Sequence, residues 1–264
     1  MNGSRQLTRQ GLLHLLRIAY HESKMEFVKC LRLPAFSVSL FVFPIGMFLF
    51  FGFGMNWGPN DVDNTLYWAT ASSCMGVIGV GLFGFGVYVA TERGQGWLLL
   101  KRVSPMPPLM YFLAKVVMSI LFSTIVVLVI FGIALFFGSP EVQALRLMLI
   151  CVVLVLSTIP FCALGLAIAY LVGPNSAHAV VNLVYLPQLF LGGIVVPFEV
   201  LPGYLQSVAT AMPSFHSIQL ALHAVEVNIS ASAYTHMAVL TIYSVLFVAV
   251  AVFFYYRDEG KTFG

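Results

Sequence analysis

Long uninterrupted apolar runs constrain this chain more than any other feature of its sequence. Each run is close to the roughly 20 helical residues that cross a bilayer core of about 30 Å. The runs are continuously apolar and lack the alternation of a barrel strand, so we predict helices. The six runs are Ala35 to Phe53, Leu66 to Ala90, Met110 to Phe137, Leu147 to Val172, Ala179 to Val196 and Met237 to Tyr256. The sequence therefore predicts an all-α membrane protein with six transmembrane helices in a domain from 35 to 256.

Composition excludes most soluble folds. Of the 264 residues, 60% are hydrophobic and 9% are charged, whereas soluble domains carry roughly 25% charged residues. So few charged side chains cannot cover the surface of a water-soluble domain of this length. A net charge of +3 is too small to indicate nucleic acid by itself, and we expect no nucleic-acid partner.

The basic residues predict the orientation in the membrane, because lysine and arginine are retained on the cytoplasmic side. They lie before the first run, between the second and third runs, and after the last run, with Lys115 just inside the third run; only Arg146 falls on the other side. The acidic residues Asp61, Asp63, Glu141, Glu199 and Glu226 fall on that other side. We therefore predict a multi-pass protein of the plasma (inner) membrane with both termini, including the tail 257–264, in the cytoplasm.

Residues 1–34 precede the first apolar run and are too long and polar for a signal peptide. On a helical projection Leu12, Phe27 and Cys30 share one face, while Lys24 and Arg32 lie on the other. This pattern predicts an amphipathic helix in the cytoplasmic interface, with its basic face toward anionic lipid headgroups. A solvated, partly disordered arm is the alternative.

Several motifs that suggest chemistry do not fit their context. The second run contains Gly76, Gly79, Gly81, Gly84 and Gly86, and the middle three form GxGxxG. Because they lie in the middle of an apolar run, they predict close helix packing, within the chain or at a subunit interface, rather than a dinucleotide site. Pro213 to His216 resembles one element of membrane phosphatidic-acid phosphatases, but the rest of that signature is missing. No GxxxxGK[ST] motif occurs. We therefore expect neither an enzyme nor a nucleotide site in this chain.

Metal and disulfide chemistry also lack a pattern in the sequence. The histidines His216, His223 and His236 are spaced too widely to indicate a metal site and are better explained as capping or interfacial groups. The cysteines lie in the basic lead or in apolar runs, which favours buried thiols over disulfides or structural zinc. No Asp or Glu lies inside the six runs, which argues against an ion-coupled carrier.

Three prolines, Pro44, Pro160 and Pro187, lie inside predicted spans. Each removes a backbone donor and clashes with the preceding turn, so we expect spans one, four and five to be bent or broken there. Such bends can serve as hinges or as static shape, and the sequence leaves both interpretations open.

The connection 91–108 between the second and third runs is short, cationic and rich in Gly and Pro. It reads TERGQGWLLLKRVSPMPP and is followed by Lys115 in the next run. The matching positions are Glu92, Arg93, Gly96, Leu98, Arg102, Val103, Pro105 and Lys115. The segment resembles the inner loop of type-2 ABC-transporter permeases, whose pattern is roughly Glu-Arg/Lys-x-x-Gly-Thr-Leu-x-x-Leu-(Lys/Arg)-(Val/Thr)-x-Pro. Trp97 departs from that pattern, where a small hydroxyl residue is usual.

A second segment, Gly192 to Pro202 followed by Met212, Pro213 and Ser214, is similar to the stretch after span five in the same family. The outer part 197–236 contains no lysine or arginine yet is too apolar for an ordinary loop. Pro202 and Pro213 divide it into pieces too short to span, so we predict a re-entrant helical segment. The resemblance implies a lid over the exit of the pathway, with Pro197, Phe198, Glu199 and Pro202 at an outer gate.

The resemblance also implies partners. In the family the inner loop is a coupling helix that docks on a separate ATPase subunit, so ATP and Mg would be bound by that partner and no cofactor or metal by this chain. The apolar residues of this loop would need to be covered in any case. A helix resting on the membrane interface is the alternative. The residues assigned to coupling are Glu92, Arg93, Gly96, Trp97, Leu98, Leu99 and Arg102. The resemblance further implies a second permease copy, identical or related, in contact with membrane lipid.

A pathway between two copies would be lined by spans one, two and five. The candidate lining residues are Tyr67, Thr70, Ser73, Asn182, Tyr185 and Leu189. This mostly apolar set with sparse hydrogen-bonding groups favours an amphipathic, drug-like or lipid-like substrate over an ion. The chain is therefore expected to be the permease of an ATP-driven exporter. A non-transporting six-span protein, either a lipid-modifying enzyme or an assembly scaffold, is the alternative.

Overall fold

The computed structural model describes residues 17, 19–32, 34–55, 57, 63–97, 108–138, 142–224 and 232–262. Within these ranges the secondary structure is helical and includes no strand. The helices are α1 (19–31), α2 (Pro34–Phe48), α3 (Asn64–Gly94), α4 (Pro108–Ile133), α5 (Ala144–Leu156), α6 (Thr158–Leu171), α7 (Ala177–Leu191), α8 (Gly203–Ala209), α9 (Pro213–His223) and α10 (Ala233–Thr262). Wider π-helical turns extend α2 over Leu49–Phe53, interrupt α3 at Val80–Val87 and extend α4 over Ala134–Gly138. The all-α prediction is confirmed for this part of the chain.

Four helical segments in the described ranges are long and apolar enough to cross a bilayer. They are Asn64–Gly94, Met110–Gly138, Ala144–Leu171 and Ala233–Arg257. The apolar helices Leu40–Phe53 and Ala177–Leu191 are shorter; at 1.5 Å per residue α7 is about 22 Å long, less than a bilayer core of about 30 Å. The chain is thus a multi-pass membrane protein, and crossings by α2 and α7 stay predictions.

The helix α3 forms the centre of the molecule. Most of its apolar length is buried, because it packs against α2, α4, α5, α6, α7 and α9. By contrast α10 packs along α6 and against α9 and leaves most of its own surface exposed. The exposed apolar face of α10 suits lipid, whereas Thr70, Ser72 and Ser73 in the middle of α3 lie inside the chain.

Glycines allow the close approach of α3 and α6. A Cβ atom on Gly86 would lie 2.7 Å from the Cα of Gly165, and one on Gly81 would lie 2.6 Å from the Cβ of Phe161. Only a residue without a side chain fits between backbones at this separation. The prediction that the glycine-rich run serves helix packing is confirmed, and the packing lies within one chain.

The fourth apolar run consists of two helices rather than one. The helix α5 ends at Leu156, and α6 begins at Thr158 after a turn at Ser157. Pro160 lies in the first turn of α6, where its missing N–H leaves no hydrogen bond unmade. Pro44 and Pro187 lie inside α2 and α7, which continue through them.

The two ends of α3 define the two ends of the molecule. The cap end contains the start of α3, the short 3₁₀ helix Phe198–Val200, α8 and α9. The basic end contains α1, the end of α3 and the start of α4. At the cap end Asp63 accepts a hydrogen bond from the Leu66 amide at 2.9 Å and so caps α3, as expected for an aspartate at this position.

Candidate functional site

The carboxylate of Glu92 is the centre of a buried polar cluster at the basic end. Glu92 lies in the last turn of α3 and is only 3% exposed. It forms an ion pair with Lys29 of α1 and another with Lys115 of α4, at 3.0 Å. The hydroxyl of Tyr111, one turn before Lys115, donates a hydrogen bond to the same carboxylate. Three helices that are distant in sequence are therefore joined at one side chain.

Lys115 is fully buried, and its ammonium group has two acidic partners. Besides Glu92 it contacts Glu26 of α1, with 2.8 Å between Nζ and the carboxylate oxygen. A buried charge is costly unless it is paired and hydrogen-bonded, and this pairing meets that requirement. We name the set Glu26, Lys29, Glu92, Tyr111 and Lys115 the basic-end cluster.

Aromatic rings surround the two lysines of the basic-end cluster. The Lys29 ammonium lies 4.9 Å from the ring centre of Tyr88 and 5.2 Å from that of Trp97. The Lys115 ammonium lies 4.7 Å from the ring centre of Tyr88. Ring faces attract cations at such distances, so these aromatic residues help to hold both ammonium groups in place.

The pKa values of two side chains on α1 reflect both burial and neighbouring charges. Burial by itself lowers the pKa of Lys29, but its hydrogen bond and ion pair with Glu92 outweigh burial and raise the pKa above the usual value. Burial raises the pKa of the neighbouring Cys30 thiol to about 11. Lys29 is therefore charged at neutral pH, and Cys30 is a protonated, unreactive thiol.

Arg93, the residue after Glu92, connects α3 to the end of α6. Its guanidinium donates hydrogen bonds to the backbone carbonyls of Val172 at 2.6 Å and Tyr170 at 3.4 Å. It also lies over the ring of Tyr170. Carbonyls in the last turn of a helix lack partners within that helix and attract cations, so Arg93 caps α6 and holds it against α3.

The chain leaves the cluster through a turn that requires glycine. The helix α3 ends at Gly94, and Gly96 follows with a φ of 76°, a left-handed conformation that glycine adopts without strain. The next residue, Trp97, is 48% exposed. Of the residues predicted to couple to a partner, Leu98, Leu99 and Arg102 lie outside the described residues. Among the others, Trp97 lies at the surface, whereas Glu92 and Arg93 bind groups within the chain.

The predicted pathway residues do not share one surface. Tyr67, Thr70 and Ser73 of α3 and Leu189 of α7 are buried inside the chain. Asn182 of α7 is exposed, with its side-chain amide donating to the His178 carbonyl. Tyr185 is partly buried, and its hydroxyl donates to the Met75 carbonyl at 3.3 Å. Their role in a pathway stays a prediction, and access to the α3 residues would require α3 to move away from its neighbours.

The predicted outer-gate residues lie together at the cap end. Pro197 is buried, Phe198 packs its ring 4.8 Å from the ring of Phe215, and Glu199 and Pro202 are exposed. The gate role of these residues stays a prediction. Gln188 of α7 accepts a hydrogen bond from the Ser214 backbone amide at 3.2 Å, which attaches the start of α9 to α7.

A histidine pair links α9 to α10 at the cap end. The Nδ1 atoms of His216 and His236 lie 2.8 Å apart, and the Nε2 of His216 lies 2.9 Å from the Thr210 carbonyl oxygen. The ring of His223 lies 5.7 Å from that of His236. Burial lowers the pKa of His216 below the usual histidine value. No group of three or more potential ligands suits a metal ion in the described part of the chain.

Sequence reasoning missed the basic-end cluster and the histidine pair as units. Lys115 was one of the motif residues, but Glu26 had no assigned role. The signal was present, since a lysine inside an apolar span needs an acidic partner, and Glu26 and Lys29 lie three residues apart on one helix face. The histidine pair joins positions 20 residues apart in the sequence, and no spacing rule identifies such a contact.

Comparison with known proteins agrees with the membrane architecture and with the motif at the basic end. The family model described as "ABC-2 type transporter" matches residues 23–226, which is most of the chain. The chain belongs to the ABC-2 type transporter family, and it is thus a membrane permease subunit. The resemblance noted in the sequence is confirmed.

One relative from Bacillus subtilis (strain 168) is described as "Putative transport permease YvfS". It is 24% identical to this chain over 202 residues, which is 76% of this chain and 82% of the relative. The chain is thus similar to this transport permease over most of both lengths.

Proposed function

We propose that this chain is the permease subunit of an ATP-binding-cassette exporter, driven by ATP that a separate nucleotide-binding subunit hydrolyses. Family membership supports the permease assignment and favours transport over the alternative of a lipid-modifying enzyme or scaffold. The outward direction, the substrate and the ATPase partner are parts of the proposal.

The basic-end cluster is the observation that carries the proposal. It connects Glu92, at the start of the connection 91–108, to α1 and α4 through ion pairs. Beyond this cluster the exposed Trp97 ring offers an apolar contact on the same surface. A partner that moves Trp97 would therefore move α1, α3 and α4 together, because the Lys29 ammonium lies 5.2 Å from the Trp97 ring and close-packed interiors transmit strain.

We further propose a complex of two permease copies and two ATPase subunits in the plasma membrane, with both termini in the cytoplasm. The chain contains no motif for binding ATP, so the energy must come from another subunit. Closure of the ATPases on ATP would displace the coupling loops and bias the spans toward an outward-open arrangement. The substrate would be amphipathic or lipid-like, because the candidate lining residues are mostly apolar.

Trp97→Ala tests whether this surface binds an ATPase. The tagged permease is coexpressed with a candidate ATP-binding subunit that carries a Walker A motif, and the complex is purified in detergent. Removing a large aromatic anchor from an interface typically costs about 2 kcal/mol or more, so we expect recovery of the ATPase to fall at least about tenfold. Phe136→Ala is the matched control: this aromatic ring is 80% exposed at the opposite end of α4, and its removal should leave recovery unchanged.

Transport itself is tested with the complex in proteoliposomes. The proposal predicts ATP-dependent movement of a fluorescent lipid or amphipathic dye, lost with Trp97→Ala and retained with Phe136→Ala. A monodisperse permease that never copurifies with an ATPase would overturn it. Movement toward the ATPase side would overturn only the export direction.

A further inference from the structure

The histidine pair at the cap end has a defined arrangement of protons. The Thr210 carbonyl can only accept, so the Nε2 of His216 carries the proton in that hydrogen bond. In the neutral ring the Nδ1 of His216 is then an acceptor. The Nδ1 of His236 must therefore donate across the 2.8 Å contact, which leaves its Nε2 without a proton.

That remaining nitrogen of His236 is a buried acceptor without a partner. His236 is 1% exposed, and its Nε2 has no hydrogen-bond partner among the described residues. An unpaired buried polar atom is unfavourable in its neutral form, and a buried imidazolium there would be far less favourable. The closed pair therefore resists a further proton.

Among the described residues, His223 is the one other group near this contact whose type ordinarily changes charge in the same pH range. His223 lies on α9 itself, and the exposed Glu199 lies on the 3₁₀ helix. On the elements packed against α9, the other titratable or charged groups at this end are tyrosines, one arginine and one capping aspartate. They are Asp63, Tyr67, Arg146, Tyr185, Tyr234 and Tyr243. Tyrosine and arginine titrate above pH 9 and carboxylates near pH 4, so histidine alone changes charge between about pH 5 and 8.

The pair is the polar part of a larger contact, because α9 and α10 also pack against each other. On one side is α9, which is held at its start by Gln188; on the other side is α10, most of whose surface is exposed. The hydroxyl of Tyr243 on α10 donates to the carbonyl of Ala211, which lies just before α9. This hydrogen bond and the histidine pair are polar contacts that add to the apolar packing of α9.

We propose that His216 and His236 form a proton-sensitive latch that holds α9 against α10 at neutral pH and releases it in acid. In the released state both rings reach water and regain an ordinary affinity for protons. Protonation therefore favours release, by linkage. When both rings are charged, two protons face each other across the Nδ1 contact, and the hydrogen bond cannot form.

The direction of the pH effect follows from this arrangement. A histidine whose pKa is lowered in the closed state contributes stability that is complete above the ordinary value of about 6.5 and is lost as the pH falls. Between about pH 7.5 and pH 5.0, one such histidine changes the ratio of released to closed protein by about tenfold or more. This latch is a property of the chain and does not depend on the proposed function.

The test measures access to α9 in the full-length protein in nanodiscs, where both membrane faces are exposed. Ser217→Cys lies on α9 at a buried position, and Ser207→Cys lies on α8 at an exposed one; the native cysteines are replaced by alanine. The ratio of their maleimide labelling rates cancels the intrinsic pH dependence of thiols. We expect this ratio to rise about tenfold from about pH 7.5 to pH 5.0.

Histidine variants identify the groups responsible. His236→Gln should weaken the pH dependence of the ratio, the double variant His216→Gln, His236→Gln should abolish it, and His223→Gln should retain it because His223 lies outside the 2.8 Å contact. A ratio that is unchanged by pH in the protein with all histidines present would overturn the latch, whatever the variants do. So would a pH dependence that persists in the His216→Gln, His236→Gln double variant. Failure of transport with a normal pH response would count against the proposed function and not against the latch.

Discussion

Lys115 shows what a charged residue requires inside a membrane helix. Its ammonium group is 0% exposed and is neutralised by Glu26 and Glu92. The benefit of such a pair over an apolar replacement is small, because desolvation offsets most of the attraction. We infer that the ion pairs serve specificity. With the charges present, α1 and α4 can pack on α3 at low cost only in the arrangement that pairs Lys115 with Glu26 and Glu92.

Replacing Lys115 by methionine should therefore destabilise the protein strongly. Lys115→Met keeps the length of the side chain but leaves two buried carboxylates without their shared cation. Breaking a buried pair in this way costs about 3–5 kcal/mol, and we expect a clearly lower midpoint in thermal unfolding in detergent.

Lys24→Met provides the control, because Lys24 is an exposed lysine on α1 and its loss should not change the midpoint. The double variant Lys115→Met, Glu92→Gln should recover part of the loss. If Lys115→Met unfolds like the unmodified protein, the ion pairs of the basic-end cluster do not form as described.

At the scale of elements, contacts between helices depend on small residues as much as on apolar ones. The helices α3 and α6 meet at Gly86 and Gly165, backbone against backbone. Membrane helices gain little from burying apolar groups away from lipid, so close van der Waals packing must hold them together. A stripe of glycines is thus the feature that positions α6, and Arg93 then caps its end.

Replacing two glycines by alanine, one at a close contact and one in open space, separates the effect of packing on stability from the effect of helix propensity. Gly86→Ala places a methyl group against the backbone of Gly165, and overpacking of this kind typically costs about 1–3 kcal/mol. Gly132→Ala in α4 meets no atom within 4 Å and should be neutral or stabilise by up to about 1 kcal/mol. Thermal unfolding of the two variants side by side measures the difference. Equal midpoints would contradict the close contact between α3 and α6.

For the whole molecule, the number of crossings determines which surface faces an ATPase. The four long helices by themselves would place the surfaces around Trp97 and Ser207 on the same side. If α7 also crosses, those surfaces lie on opposite sides, because α4, the α5–α6 pair and α7 separate them. The length of α7, about 22 Å, makes this crossing the decisive one.

Single cysteines at positions 24, 97 and 207 test the six-span topology. In a background without the native cysteines, we expect Ser207→Cys to be labelled by an impermeant maleimide in intact cells. Lys24→Cys and Trp97→Cys should be labelled only after the membrane is opened. Labelling of positions 97 and 207 from the same side would exclude a crossing by α7, and opposite labelling of 24 and 97 would exclude one by α2.

Much of this protein follows from its sequence alone. Long apolar runs in a chain with 9% charged residues require lipid around them, and in lipid their backbone groups must be hydrogen-bonded within helices. The membrane class and the all-α fold were therefore predictable. Glycine is required at Gly96 by a left-handed turn and in α3 by close packing, and both appear as local patterns. The motif that includes Glu92 and Gly96 is also a local pattern of the sequence, and it indicated the family.

Tertiary structure decided which residues meet. Glu26 with Lys115, Gln188 with Ser214, and His216 with His236 each join positions far apart in the sequence, and a pairing of this kind depends on how helices rotate and cross rather than on any local period. It also decided that Glu92 lies inside the molecule and that Thr70, Ser72 and Ser73 of α3 lie in its core. Local pattern specifies which face of a helix is polar, whereas only the packed bundle specifies what that face contacts.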